Sequence, residues 1–179
     1  MTETQKRQPQ GLSHDTRNSK SSAGMLFFEG KPTQLSPKDT VKCFKYIEKE
    51  VLRSLVSEKL LAESYVKYVS KNTQIKDFVA ELQQRCTDSH QSILLYSYGA
   101  HVQKAVTVVE IFKKEMRRGD ADDAPAQKGG IKQYNALSCF VNVVQGRNEL
   151  LERKLNIPVL IVALVPSERE FSFPKFTPQ

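Results

Sequence analysis

The amino-acid sequence predicts an α/β fold: a two-layer sandwich in the order β-α-β-α-β-β, with an additional N-terminal helix. Three observations carry that prediction. Two amphipathic stripes at helical spacing each follow a short apolar or alternating run. The segment Val159–Val165 is continuously apolar after Pro158, the pattern of a strand covered on both faces. Hydrophobic residues make up 39% of the 179, enough for one core.

The elements follow in order. Residues 1–24 hold four basic and two acidic residues and almost no large apolar side chain, the composition of a disordered tail. Residues 25–62 read as an N-terminal extension bearing the extra helix. Ser36-Pro37-Lys38-Asp39 has a capping-box order, and Val41, Phe44, Ile47, Val51 and Leu55 then recur at steps of three or four, giving a helix over 36–58. Residues 63–179 form the main domain. Tyr65–Val69 alternates as a strand, and Asn72-Thr73 opens a helix with Ile75, Phe78, Val79, Leu82 and Cys86 on one face.

Ile93–Tyr98 is an apolar and aromatic run that reads as a buried strand ending in a tight turn at Gly99. Val102, Ala105, Val106, Val109 and Phe112 make the next helical stripe. From 113 to 132, Gly-Asp and Gly-Gly steps, Pro125 and mixed charges predict a mobile loop. Leu137–Val144 alternates in part, with Cys139, Val141 and Val143 on one face, before the closing strand Val159–Val165.

Composition excludes several classes of function. No apolar stretch approaches the roughly 18–20 residues that span a bilayer, so no membrane association is expected. The opening MTETQKRQPQ lacks the apolar region of a secretory signal. Cys43, Cys86 and Cys139 are far apart and odd in number, which indicates neither a disulfide framework nor a zinc ribbon. Gly24 and Gly30-Lys31 superficially suggest a phosphate-binding loop, but the glycine spacing is one residue too long and Pro32 stands where Ser or Thr belongs. No HExxH, GxSxG or GxGxxG motif occurs. The expectation is no catalytic residues, no metal and no cofactor.

The formal net charge of +7 points towards a polyanion. Its distribution is uneven: residues 63–112 carry five basic and five acidic residues, so bulk basicity belongs mainly to the tail, the N-terminal extension and the charged loop. Within the domain the candidates are basic residues at element junctions. Lys71 lies where the first strand meets its helix. At Gly99-Ala100-His101-Val102-Gln103-Lys104 the glycine allows close backbone approach, and the helix N–H groups can receive phosphate oxygens. His101 can stack on a base or donate a hydrogen bond, and Lys104 can pair with a phosphate. Arg147, Arg153 and Lys154 fall in the connection between the last two strands, a projecting basic hairpin. Each also has a plainer explanation, as a solvated helix-face lysine, a turn residue or a surface ion pair of little energetic value.

The segment SYGAHVQKAVTVVEIFKK resembles the Alba superfamily signature, in which a strand ends in Gly-x-x-Ile/Val-x-Lys and enters an amphipathic helix. Together with GRNELLERKLNIPVLIVALV and SFPKFTPQ, it is most similar to the Alba-like subunits of fungal nuclear RNase P and RNase MRP, over roughly residues 25–179. The resemblance implies an RNA-binding subunit without catalysis of its own, paired as a heterodimer with a second, smaller Alba-like subunit. The pair would clamp a helix–internal loop–helix element of the catalytic RNA among the other protein subunits of the ribonucleoprotein, in precursor tRNA and rRNA processing.

A nuclear, nucleolar location and an association with telomerase RNA are implied in the same way. Gly99, Val102 and Lys104 match the signature, Lys71 the basic strand–helix junction, and Arg147 the GRNEL motif. Ala100 and Thr107 depart from the archaeal pattern, where Arg and Asp are common. The missing Arg argues against the alternative, a homodimeric chromatin protein that coats duplex DNA.

Overall fold

The computed structural model describes residues 24–119, 130–145, 152–169 and 171–179. The expected tail before Gly24, the centre of the charged loop and Arg147 lie outside the described residues.

The chain enters through an unforeseen hairpin. β1 (Met25–Phe28) and β2 (Lys31–Pro32) are joined by Glu29 and Gly30, with φ of 49° and 78°. Two consecutive positive φ values are what a two-residue hairpin turn needs, and Gly30 supplies one without steric cost. Gly30 thus serves a hairpin turn and not a phosphate-binding loop.

Helix α1 (Thr40–Tyr46) passes through a π-helical turn (Ile47–Val51) into α2 (Leu52–Leu55). It starts later than predicted. Ser36 to Asp39 forms a turn closed by the Asp39 N–H on the Ser36 carbonyl at 3.0 Å, and the Asp39 carboxylate accepts from Lys42 rather than capping the helix. Cys43, Phe44, Ile47, Val51 and Leu52 are buried, whereas Val41, inside the predicted stripe, is 68% exposed at the first turn. Val56 is extended and ends the helix before α3 (Glu58–Glu63), which Ser57 caps through its hydroxyl.

Then come β3 (Ser64–Tyr68), α4 (Ile75–Thr87), β4 (Ser92–Tyr98), a 3-10 turn (Gly99–His101), α5 (Val102–Gly119), β5 (Ile131–Gln145) and β6 (Glu152–Pro166). This is the expected β-α-β-α-β-β order. The loop predicted over 113–132 is shorter at both ends, because α5 runs to Gly119 and β5 begins at Ile131. Lys113 is an anchor of α5: it pairs with Glu110 at 2.6 Å and donates to the buried Gln133 Oε1 at 2.9 Å. β7 (Thr177–Pro178) closes the chain on β5.

The strands form one mixed sheet in the order β2-β1-β5-β6-β4-β3, with β3 parallel to β4 and the other pairs antiparallel. One face buries Ile93, Leu95, Leu160, Val162 and Leu164 under α4 and α5, through Phe78, Leu82, Val108, Val109 and Phe112. Val108 lies inside and Val106 is 47% exposed, a shift of the predicted α5 stripe towards the side that meets the sheet. The other face buries Tyr96, Tyr98, Phe140, Val159, Ile161 and Ala163 under the N-terminal helix and the C-terminal aromatics Phe173 and Phe176. The two-layer sandwich therefore gains a third layer from the chain ends. Residues 25–62 share that core. On β5 the buried apolar positions are Ala136 and Phe140, while Cys139, Val141 and Val143, on the other face, are half-buried.

Candidate nucleic-acid interface

Strand polarity gathers the junction residues. Because β3 and β4 are parallel, the β3–α4 loop carrying Lys71 and the β4–α5 turn carrying Gly99 and His101 leave the same end of the sheet. β6 is antiparallel to β4, and their last pair at that end is Tyr98 with Val159. From Pro158 back to Glu152, β6 continues beyond β4, paired with β5 from Cys139 to Gln145. At about 3.3 Å per residue this is an arm of roughly 20 Å. Pro158, with no N–H to give, falls where β4 has already ended. β1 braces the arm's outer side, pairing Met25 to Phe28 with Val143 to Phe140. Arg153 and Lys154 sit exposed on the arm opposite Val144 and Val143. Lys71, Gly99, His101, Lys104, Arg153 and Lys154 thus belong to one end of the sheet, on two sites: the junction cluster and the arm.

The junction is rigid for identifiable reasons. Gly99 has φ +57°, and a Cβ added there would meet Ile157 Cγ2 at 3.3 Å. The β3–α4 loop is fixed by the Val69 N–H on the Tyr96 carbonyl at 2.9 Å and the Ser70 N–H on Thr73 Oγ1 at 3.0 Å. Thr73, expected to open α4, instead ties this loop, and α4 begins two residues later. Lys104 Nζ donates to the Lys71 carbonyl at 2.7 Å, joining α5 to the loop. The Lys71 side chain itself is exposed.

His101 is half-buried, its ring near-parallel to Phe44 (centroids 5.9 Å apart, 25°) and edge-on to Tyr98. Burial pulls its pKa below the ordinary imidazole value, and the charges of Lys71 and Lys104 lower it further. At neutral pH the ring is uncharged, so it contributes hydrogen bonding and an aromatic face rather than a cation.

Beside this junction opens a cleft of about 480 Å³ that the sequence did not single out. Phe44, Lys45 and Glu48 come from the N-terminal helix, Tyr68 from the end of β3, Ser70, Lys71 and Asn72 from the following loop, and His101 from the turn. Phe44 also stacks on Tyr68, centroids 4.5 Å apart. Glu48 Oε2 accepts from the buried Tyr96 hydroxyl at 2.8 Å. Lys45 and Glu48 stand three apart off the apolar stripe of the first helix, a signal in the sequence, but only the fold shows that this side faces the junction.

A family model described as Alba matches residues 66–140, the stretch from β3 through the signature into β5. The protein described as "Ribonucleases P/MRP protein subunit POP6" from Saccharomyces cerevisiae is 31% identical over 137 residues, which is 72% of this chain and 81% of that relative. With the expected element order in place, the family model falling on it and the relative matched over most of its length, the chain belongs to the Alba family, as a POP6-like member.

Proposed function

We propose that this chain is a non-catalytic RNA-binding subunit of a nuclear RNase P and RNase MRP ribonucleoprotein. The observation that carries this reading is the convergence of Lys71, Lys104, the Gly99 turn and the arm bearing Arg153 and Lys154 at one end of the sheet. Lysine and arginine at separate points of an end about 20 Å deep suit the phosphates of a folded RNA better than a single small ligand. The similarity to POP6 supplies the RNA class. On this reading the chain acts in precursor tRNA and rRNA processing beside other protein subunits, in the nucleolus, and telomerase RNA is a further ligand.

The partner is a second, smaller Alba-like subunit. The surface assigned to it lies between α5 and β5, where Val106 and Leu137 are 47% and 75% exposed above a shallow cleft of about 270 Å³ floored by Leu160 and Val162. The apolar run Val159–Val165 of the last strand is buried within the sheet and offers the partner no exposed face. A homodimer on duplex DNA is the alternative. Titration of the purified chain and its partner with structured RNA against duplex DNA separates the two, RNA winning on the favoured reading and DNA on the other.

A further inference from the structure

The cleft between the N-terminal helix and the junction combines three chemistries. Tyr68 is a 47% exposed residue whose ring is backed by Phe44. Lys45 and Lys71 are among its lining residues, with Ser70 and Asn72. A single carboxylate, Glu48, is held in place by the Tyr96 hydroxyl through Oε2. The walls do not depend on a ligand to form: the loop side is tied to α5 by Lys104, and the helix side is seated in the core by Phe44 and Ile47.

A flat aromatic surface accepts the face of an unstacked base, and lysines at the rim accept its phosphates. The carboxylate decides which base. A carboxylate only accepts hydrogen bonds, and each oxygen has two lone-pair sites, so the bond from Tyr96 leaves acceptor capacity free. Guanine alone presents two neighbouring N–H donors, N1–H and N2–H, on its Watson–Crick edge. Adenine and cytosine offer one exocyclic amine beside an acceptor nitrogen that the carboxylate would repel, and uracil offers one N–H between two carbonyls.

We propose that this cleft binds one unpaired guanine nucleotide of the RNA, its base stacked on Tyr68, its Watson–Crick edge on Glu48 and its phosphates near Lys45 and Lys71. The proposal rests on the RNA-binding reading above and deepens it by naming a base. It gives the N-terminal helix a place in recognition as well as in the core.

The probes are uridine hexamers with one central guanine, adenine or cytosine, and the all-uridine hexamer, measured by fluorescence anisotropy on the full chain. The guanine hexamer binds at least about fivefold more tightly than the others. Glu48→Gln brings it down to the level of the adenine hexamer, and Tyr68→Ala weakens it about tenfold, in line with the loss of one base–aromatic stack. Glu58→Gln, on an exposed residue outside the cleft, leaves the preference intact. Circular dichroism of each variant establishes that it is folded. Equal binding of all four hexamers, or a guanine preference that survives Glu48→Gln, overturns the proposal while leaving RNA binding standing. Failure to bind both the hexamers and structured RNA overturns both readings together.

Discussion

The ammonium of Lys104, in the first turn of α5, donates at 2.7 Å to the backbone carbonyl of Lys71, so the signature lysine and the junction lysine stand side by side in unequal roles. One is partly committed to structure through its side chain. The other lends only its carbonyl, and its side chain is exposed.

That asymmetry separates the two substitutions. Lys71→Ala leaves the carbonyl in place, and the midpoint of urea unfolding stays where it was while RNA affinity falls. Lys104→Ala lowers affinity and also stability, by about 0.5–1 kcal/mol for a partly exposed charged hydrogen bond. Denaturation and binding measured on the same preparations check both expectations.

Gly99→Ala meets two obstacles, the left-handed φ of +57° and the Ile157 methyl at 3.3 Å. The backbone strain costs about 1–2 kcal/mol. Ile157→Ala removes that methyl and leaves the strain, so in chemical denaturation Gly99→Ala costs less in the Ile157→Ala background than in the wild type.

The His101 imidazole has its pKa lowered by burial first and by Lys71 and Lys104 next. Below the ordinary value of 6.5 the unfolded chain binds a proton that the folded chain resists. The contribution is therefore fully present above that value and is lost as pH falls through the folded pKa. His101→Gln flattens the acid side of the stability profile, read by thermal unfolding in buffers on either side of 6.5.

Val106→Asp and Leu137→Asp place charge on exposed apolar positions. Each leaves thermal stability of the isolated chain within about 0.5 kcal/mol and dissociates the pair with the Alba-like partner in size-exclusion chromatography. Cys139, half-buried two residues from Leu137 on the same strand face, gives a footprint of the same surface. Cys43 and Cys86 are buried, so a thiol reagent modifies Cys139 first, and partner binding slows that modification.

The elements that could be read from the sequence were those whose apolar period repeats: α4 with Phe78, Val79, Leu82 and Cys86, β4, and the doubly covered Val159–Val165. The misses have physical causes. β1 is four residues long and earns its place by pairing with the arm of β5, a long-range contact that local periodicity does not encode. Val41 lies exposed in the first turn, ahead of the π-helical turn, and Leu52, outside the predicted stripe, is buried after it. Lys71, Gly99 and Lys104 could be named from motif and position, because junction residues are set by the chain itself. Tyr68, Glu48 and Lys45 could not be joined to them, since the cleft exists only where a helix from the first third of the chain lies across the end of β3.

On the proposed function, one end of the sheet grips RNA while another surface holds the partner. The most direct test is affinity purification of the tagged chain from nuclei, in wild-type form and as the quadruple variant Lys71→Ala, Lys104→Ala, Arg153→Ala and Lys154→Ala, with bound RNA sequenced and bound protein identified. The wild type brings down RNase P and RNase MRP RNA with a second Alba-like subunit. The variant keeps the subunit and loses the RNA, its residual binding in vitro falling less steeply with salt by a slope of roughly three. A variant that retains the RNA at wild-type levels, or a wild type that carries duplex DNA and no such RNA, contradicts the account.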